Sequence, residues 1–217
     1  MFTTKLFPIG IVILSATTAM IFSVFAMRAK ADDKDFRPIV EAKMPKGFPQ
    51  YTAVGDVQIK QYPAYRKAEA DVKSGRAFWK LLMHIKKNDI AMTAPVEMAY
   101  SNSNSNSQEP RESKMAFLYG SADMGQPGSG KAVKVVDVAP MMVISTGVRG
   151  PRTTKSVAAA RERLQDWLDV NKDLYSAAGE LRVMAYNSPF VPRSRNYFEV
   201  EIPIRLLETD ELSVKGI

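Results

Sequence analysis

Hydrophobic positions along this chain fall into two regimes. From Ile9 to Ala26 they are nearly continuous, and no charge interrupts the stretch between Lys5 and Arg28. From Val54 onward they either alternate with polar positions or recur at helical spacing. Val57, Ile59 and Gln61 alternate with Gln58, Lys60 and Tyr62, which predicts a strand with one less polar face. A Pro63-Ala64 turn and a second strand, Tyr65 to Val72, follow. Phe78, Leu82 and Ile85 recur at i, i+4 and i+7, with Leu81 widening the stripe. That spacing predicts an amphipathic helix from Ser74 to Lys86, which Asn88 can close in the left-handed conformation. Strands from Ile90 to Tyr100 and Met115 to Tyr119 complete this half.

The second half repeats the order. Val133 to Val138 and Met141 to Val148 predict paired strands. Val157, Ala160, Leu164, Trp167 and Leu168 predict a helix from about Ser156 to Asn171, capped by Thr154 or Ser156. Leu181 to Tyr186 and Tyr197 to Ile204 are further strands. Each helix can bury its stripe only against a sheet. The expected class is therefore α+β: a twisted antiparallel β-barrel or pair of sheets, built from two pseudo-repeats and carrying two α-helices.

The regions outside this pattern set the expected domain limits. Residues 1–31 are a leader long enough to cross a bilayer, which takes roughly 20 apolar residues. Ala29-Lys30-Ala31 offers a cleavage site, so the leader is either a removed signal peptide or a retained anchor. In both cases the folded domain is expected in the periplasm or otherwise outside the cytoplasm. Residues 32–49 read as a polar linker with no core of its own, residues 50–208 as the domain, and residues 209–217 as a tail. Ser101 to Ser107, alternating Ser and Asn, reads as a mobile hairpin loop, and Gly125 to Gly130 as a second flexible loop.

Composition narrows the chemistry. Cysteine is absent and histidine occurs once, which excludes thiol nucleophiles, disulfides and multi-histidine metal sites. The net charge of +7 falls to about +4 without Lys5, Arg28 and Lys30, and the excess is spread along the chain. Nucleic-acid binding, which needs clustered cations with aromatic platforms, is not expected. Gly125 to Ala132 comes close to a phosphate-binding loop. It ends in Ala132 where Mg²⁺ needs a hydroxyl, and a strand follows where a helix is required. Glu69, Asp71, Asp89 and Glu97 have no spacing that enforces a pair, and Asp89 and Glu97 are expected to be solvated. No general acid and base can be nominated, and no enzyme is expected. His84 is either a surface residue near a helix C-terminus or a single axial contact to haem iron. Met83, one turn after Trp79, is the methionine expected to line a ligand groove.

Several segments together resemble the SOUL/haem-binding protein family: Ile90-Ala91-Met92-Thr93-Ala94-Pro95-Val96 after the first helix, Ala185 to Phe190, and Arg195 to Val200, with Phe198 at the family's Asn. The resemblance spans about Val54 to Ile204. It implies a distorted barrel of two repeats, and a non-catalytic protein that binds haem or another porphyrin in a shallow apolar groove beside the first helix. The porphyrin would not be required for folding. The implied contacts are Phe78, Trp79, Leu82 and Met83 on the ring, Arg76, Lys80 and Arg193 near its carboxylates, and His84 as a possible contact to iron. Gln61 stands where some members place a histidine, and Gly75, Met83 and Val191 stand where they place cations. These departures keep a second expectation open, an interaction module or a binder of another apolar small molecule. Contact with a membrane is expected only through an uncleaved leader.

Overall fold

The structure, a computed structural model, describes residues 33, 35–101 and 111–207. The leader, the core of the Ser/Asn run and the tail lie outside the described residues. The chain divides into two units, 1–36 and 37–217, and the sheet and both helices belong to the second.

Ten strands form that sheet: β1 (Val57–Tyr62), β2 (Tyr65–Asp71), β3 (Val96–Ser101), β4 (Arg111–Leu118), β5 (Gly128–Ser129), β6 (Lys134–Val138), β7 (Met141–Arg149), β8 (Tyr175–Ala177), β9 (Arg182–Ala185) and β10 (Tyr197–Leu206). Helix α1 (Ala77–Lys87) follows β2, and α2 (Thr154–Val170) follows β7. The strand order is β1-β7-β10-β9-β3-β4-β2-β6-β5, with β8 beside β10. The α+β class is as expected, but the sheet is not closed into a barrel.

The reason lies in two corners. β1 does not pair with β2, nor β6 with β7; β1 pairs with β7 and β2 with β6. The partners Tyr62↔Met141 and Tyr65↔Val138 belong to one continuous register, which sets Pro63-Ala64 opposite Ala139-Pro140. A proline has no N–H to give to a ladder. The pairing lapses there and the long ribbon turns, leaving β1 and β5 as the ends of the strand order.

Both helices pack on the same kind of sheet surface, with α1 on β2 and β4 and α2 chiefly on β7 and β10. Ala77, Leu81 and Ile85 bury against Ala68, Ala70 and Phe117. Val157, Ala160, Leu164 and Leu168 bury against Ile144, Phe198, Val200 and Ile202. Thr153, rather than Thr154 or Ser156, is the cap of α2: its Oγ1 accepts from the Ser156 N–H at 3.1 Å, and Ser156 Oγ accepts from the Thr153 N–H at 2.9 Å. Gly128 and Ser129 pair with Val135 and Lys134, so the glycine-rich segment ends in a small hairpin against β6.

Residues 37–49 are not an idle linker. Asn187 Nδ2 donates to the Ile39 carbonyl at 2.8 Å, and the Ser188 N–H and Oγ both donate to Glu41. The Ala94 N–H donates to Lys43 O, and Phe48 meets Tyr62 and Tyr65 edge-on. No helix among the described residues is long and apolar enough to cross a membrane.

Candidate functional site

Helix α1 begins without a side-chain cap and ends well closed. The Ile90 N–H bonds back to Ile85 O at 2.9 Å and the Asp89 N–H to Lys86 O at 3.4 Å, with Asp89 at φ 52°. This is a Schellman closure, with Ile85 and Ile90 meeting in the core. The left-handed residue is therefore Asp89, not Asn88, whose side chain instead donates to His84 O at 2.7 Å. His84, Lys86 and Lys87 lie in the last turn, where cations favour the helix dipole.

The buried stripe is Ala77, Leu81 and Ile85, which turns the other apolar side chains outward. Phe78 is partly exposed with its ring against Phe117 at 5.3 Å, and Leu82 is half-buried. Trp79 is 64% exposed and Met83 65%. Arg76 is exposed at the N-cap, and Lys80 is half-buried one turn before His84. Seven of the sequence-derived site residues thus share one helix and its cap, whereas Arg193 lies in the short 3₁₀ turn Arg193–Arg195 between β9 and β10.

His84 is half-buried, and its Nε2 lies 2.8 Å from the Tyr119 hydroxyl. Burial holds its pKa below the ordinary value, with Lys87 adding to the effect, so the ring is neutral at pH 7. A neutral imidazole can ligate iron, but the nitrogen that would do so is engaged by Tyr119. The donor set fits a ring and its carboxylates more readily than it fits the metal.

The segment after α1 is not the start of a strand. Ile90 to Pro95 is irregular, with a cis Ala94–Pro95 bond, and β3 starts at Val96. Thr93 Oγ1 donates to Leu118 O at 2.7 Å and fastens the segment to the end of β4.

The sheet face away from the helices carries what the sequence pattern does not foretell. The solvated Glu97 expected from the sequence is buried. β1 turns Lys60 inward and Ile59 outward, the reverse of its expected faces. Glu199 and Glu201 on β10 are fully buried. Lys60 Nζ, the Thr52 N–H and the Tyr186 hydroxyl donate to Glu199. Tyr62 Oη at 2.7 Å and Arg182 Nε at 2.8 Å donate to Glu201. Lys67 Nζ at 2.5 Å and Tyr65 Oη at 2.8 Å donate to Glu97. The Arg182 guanidinium also sits 4.5 Å above the Tyr62 ring. Most of these contacts skip a strand, from β1 to β10 and from β2 to β3, and Arg182 on β9 reaches Tyr62 and Tyr65 at the corner between β1 and β2, so the open sheet curls around its polar face.

Burial alone would raise the Glu97 pKa, but Lys67 and Arg182 outweigh it and hold the carboxyl below its usual range. Glu201 is raised, by burial first and by neighbouring Glu199, against the pull of Arg182. Three cations meet three carboxylates, and every carboxylate oxygen has a donor. On the cation side one buried donor, Arg182 Nη2, has no hydrogen-bond partner. The legible signal for this cluster is β10, where Tyr197, Glu199 and Glu201 alternate with Phe198, Val200 and Ile202 although α2 can cover only one of the two faces.

Among known proteins, the family description "SOUL heme-binding protein" matches residues 48–203. No curated protein sequence matches. Solved structures with a similar fold include the EcmrR C-terminal domain, 13% identical over 70% of this chain and 98% of that one, with a TM-score of 0.50. An uncharacterised conserved protein from Listeria innocua is 9% identical over 70% and 93%, with a TM-score of 0.53. A hydrolase from Listeria innocua is 10% identical over 71% and 94%, with a TM-score of 0.52. At these identities the likeness concerns the fold alone.

Proposed function

This chain belongs to the SOUL haem-binding protein family, and from that premise we propose that it binds a tetrapyrrole, without catalysis, on the outward surface of α1. One observation carries the reading: Trp79 and Met83 stand in solvent on a well-closed helix, beside Phe78 and Leu82. Large apolar side chains grouped on a surface mark binding sites. The ring would rest on these four side chains, and Arg76 and Lys80 would meet its carboxylates, with Arg193 as a further candidate. Bound haem would supply redox and ligand-binding chemistry at iron. The protein's own part is to shield one face of the macrocycle and orient its carboxylates. The reading takes the domain to be exported behind the apolar leader, cleaved or retained. It also takes the two halves to be repeats of one unit. Exchanging β1 with β6, β2 with β7, β3 with β9 and β4 with β10 reverses the strand order onto itself, which supports that.

Haemin titration followed by absorption tests the site. Trp79→Ser combined with Met83→Ser should weaken saturable haemin binding by about tenfold or more, the equivalent of about 1.4 kcal/mol, with the fold intact. Unchanged affinity in that variant removes α1 from the reading. A second reading, an iron-free porphyrin or another flat apolar ligand, is favoured by the Tyr119 hydrogen bond that occupies His84 Nε2.

A further inference from the structure

The outward face of α1 carries more than a ring-binding surface needs. On an ideal helix Trp79 and Met83 each project about 160° around the axis from buried Leu81. They are therefore at the solvent pole, not at the edge of a groove. Within α1 and the turn before it the charge is of one sign, with exposed Asp71 and Asp89 at the two borders. Between Val72 and Asn88 the chain has Lys73, Arg76, Lys80, Lys86 and Lys87 and neither Asp nor Glu. Lys73, Arg76, Lys86 and Lys87 are exposed, and Lys80 is half-buried. By contrast, the exposed apolar residues Val170 and Leu174 at the end of α2 sit beside Asp169 and Asp173 as well as Lys172.

We propose that α1 is an interfacial docking helix that lays Trp79 and Met83 into the headgroup region of an anionic lipid bilayer. Tryptophan favours that depth because its ring is apolar and its N–H is polar. Lysine and arginine stems lie along the apolar boundary while their charges meet lipid phosphates. Charge complementarity selects the occupant: a second copy of this chain would bring the same positive face, and a neutral surface would offer the exposed Arg76, Lys86 and Lys87 no counter-charge. This inference goes beyond the tetrapyrrole reading and does not rest on it. It does place both ligands on one face, so that an apolar ring held there would exchange with the lipid phase rather than with water.

The chain has two tryptophans, Trp79 and Trp167, and the leader has none, so the full-length protein reports on α1 directly. In a Trp167→Phe background, Trp79 fluorescence is measured with haem-free vesicles of phosphatidylglycerol or phosphatidylcholine, each with brominated acyl chains. Quenching and a blue shift with phosphatidylglycerol, weak with phosphatidylcholine and relieved by high salt, are expected. Each cation at an anionic surface contributes roughly a factor of five, so Lys86→Gln with Lys87→Gln should weaken docking by about 25-fold. Val170→Asp, at a residue 83% exposed on α2, should leave it unchanged. Equal quenching by both lipids overturns the proposal, as does binding that leaves Trp79 unquenched, which would mark a general polyanion surface. An equal loss in Val170→Asp does the same. Because haem is absent, failure here and failure of haemin binding are read separately.

Discussion

The inner face of the sheet and the outer face of α1 both invert the usual rule that charge lies outside and apolar side chains inside. They do so to opposite effect. Inside, Lys60, Arg182, Glu97, Glu199 and Glu201 are buried, half-buried Lys67 makes the count of charges even, and the carboxylate oxygens are bonded. Outside, Trp79 and Met83 are about two-thirds exposed, and Phe78 is covered on one side by Phe117. An inversion whose carboxylates are all bonded from within, with Arg182 Nη2 the one donor of its cations left buried and unpaired, shapes the molecule, as the inner one does by holding the curled sheet together. An inversion left open needs something from outside to complete it, and that is where ligand binding belongs.

The sharpest way to break this comparison is to remove one inner charge. Lys60→Met leaves Glu199 buried without its cation, and breaking a buried pair from one side is strongly destabilising, by about 3–5 kcal/mol. Denaturant unfolding should show that loss, while Trp79→Ser on the outer face should change stability far less. If Lys60→Met unfolds at the same denaturant concentration as the wild type, the inner cluster does not hold the sheet.

The inner cluster also sets a pH limit. Glu97 is held below the usual carboxylate range, so its contribution is fully present above the unfolded value of about 4.3. It is lost as pH falls through the lower, folded value. Glu201 is raised and works in the opposite sense, favouring the fold as it takes up a proton. Glu97→Gln should therefore flatten the loss of thermal stability below about pH 4. It should also lower stability at neutral pH, because Lys67 and Arg182 lose a shared counter-charge. An acid limb as steep as the wild type's would assign acid unfolding to other carboxylates.

The two regions are unequally legible in the sequence. The spacing of Phe78, Leu82 and Ile85 is enough to find α1 as a helix but not its buried face, which is Ala77, Leu81 and Ile85 because Phe78 turns outward. Val157 to Leu168 is enough to find both α2 and its stripe. Period two in β10 says only that Glu199 and Glu201 share a face. It does not say whether that face meets water, because that depends on the ribbon turning at Pro63 and Pro140 and curling the sheet. Glu97 reads as solvated for the same reason: its partners Lys67 and Arg182 are 30 and 85 positions away. The α1 surface can be named residue by residue, but the engagement of His84 by Tyr119 depends on a contact 35 positions distant.

That contact supplies the finest test of the comparison, at the border between the two regions. If the outer face is a site for haem rather than for an iron-free ring, His84 Nε2 must leave the Tyr119 hydroxyl before it can ligate. A hydrogen bond of this kind is worth about 1 kcal/mol, so Tyr119→Phe should tighten haemin binding about fivefold and shift the Soret band toward a histidine-ligated form. His84→Ala should abolish that gain. The pH dependence gives the sign independently. Burial lowers the His84 pKa, so the ring stays neutral and ready for iron as pH falls past its ordinary value of about 6.5, and ligation is lost only below that. An iron-free porphyrin provides the contrast: it should bind wild type and Tyr119→Phe alike. If haemin does the same, the helix offers a surface to the ring and no ligand to the metal.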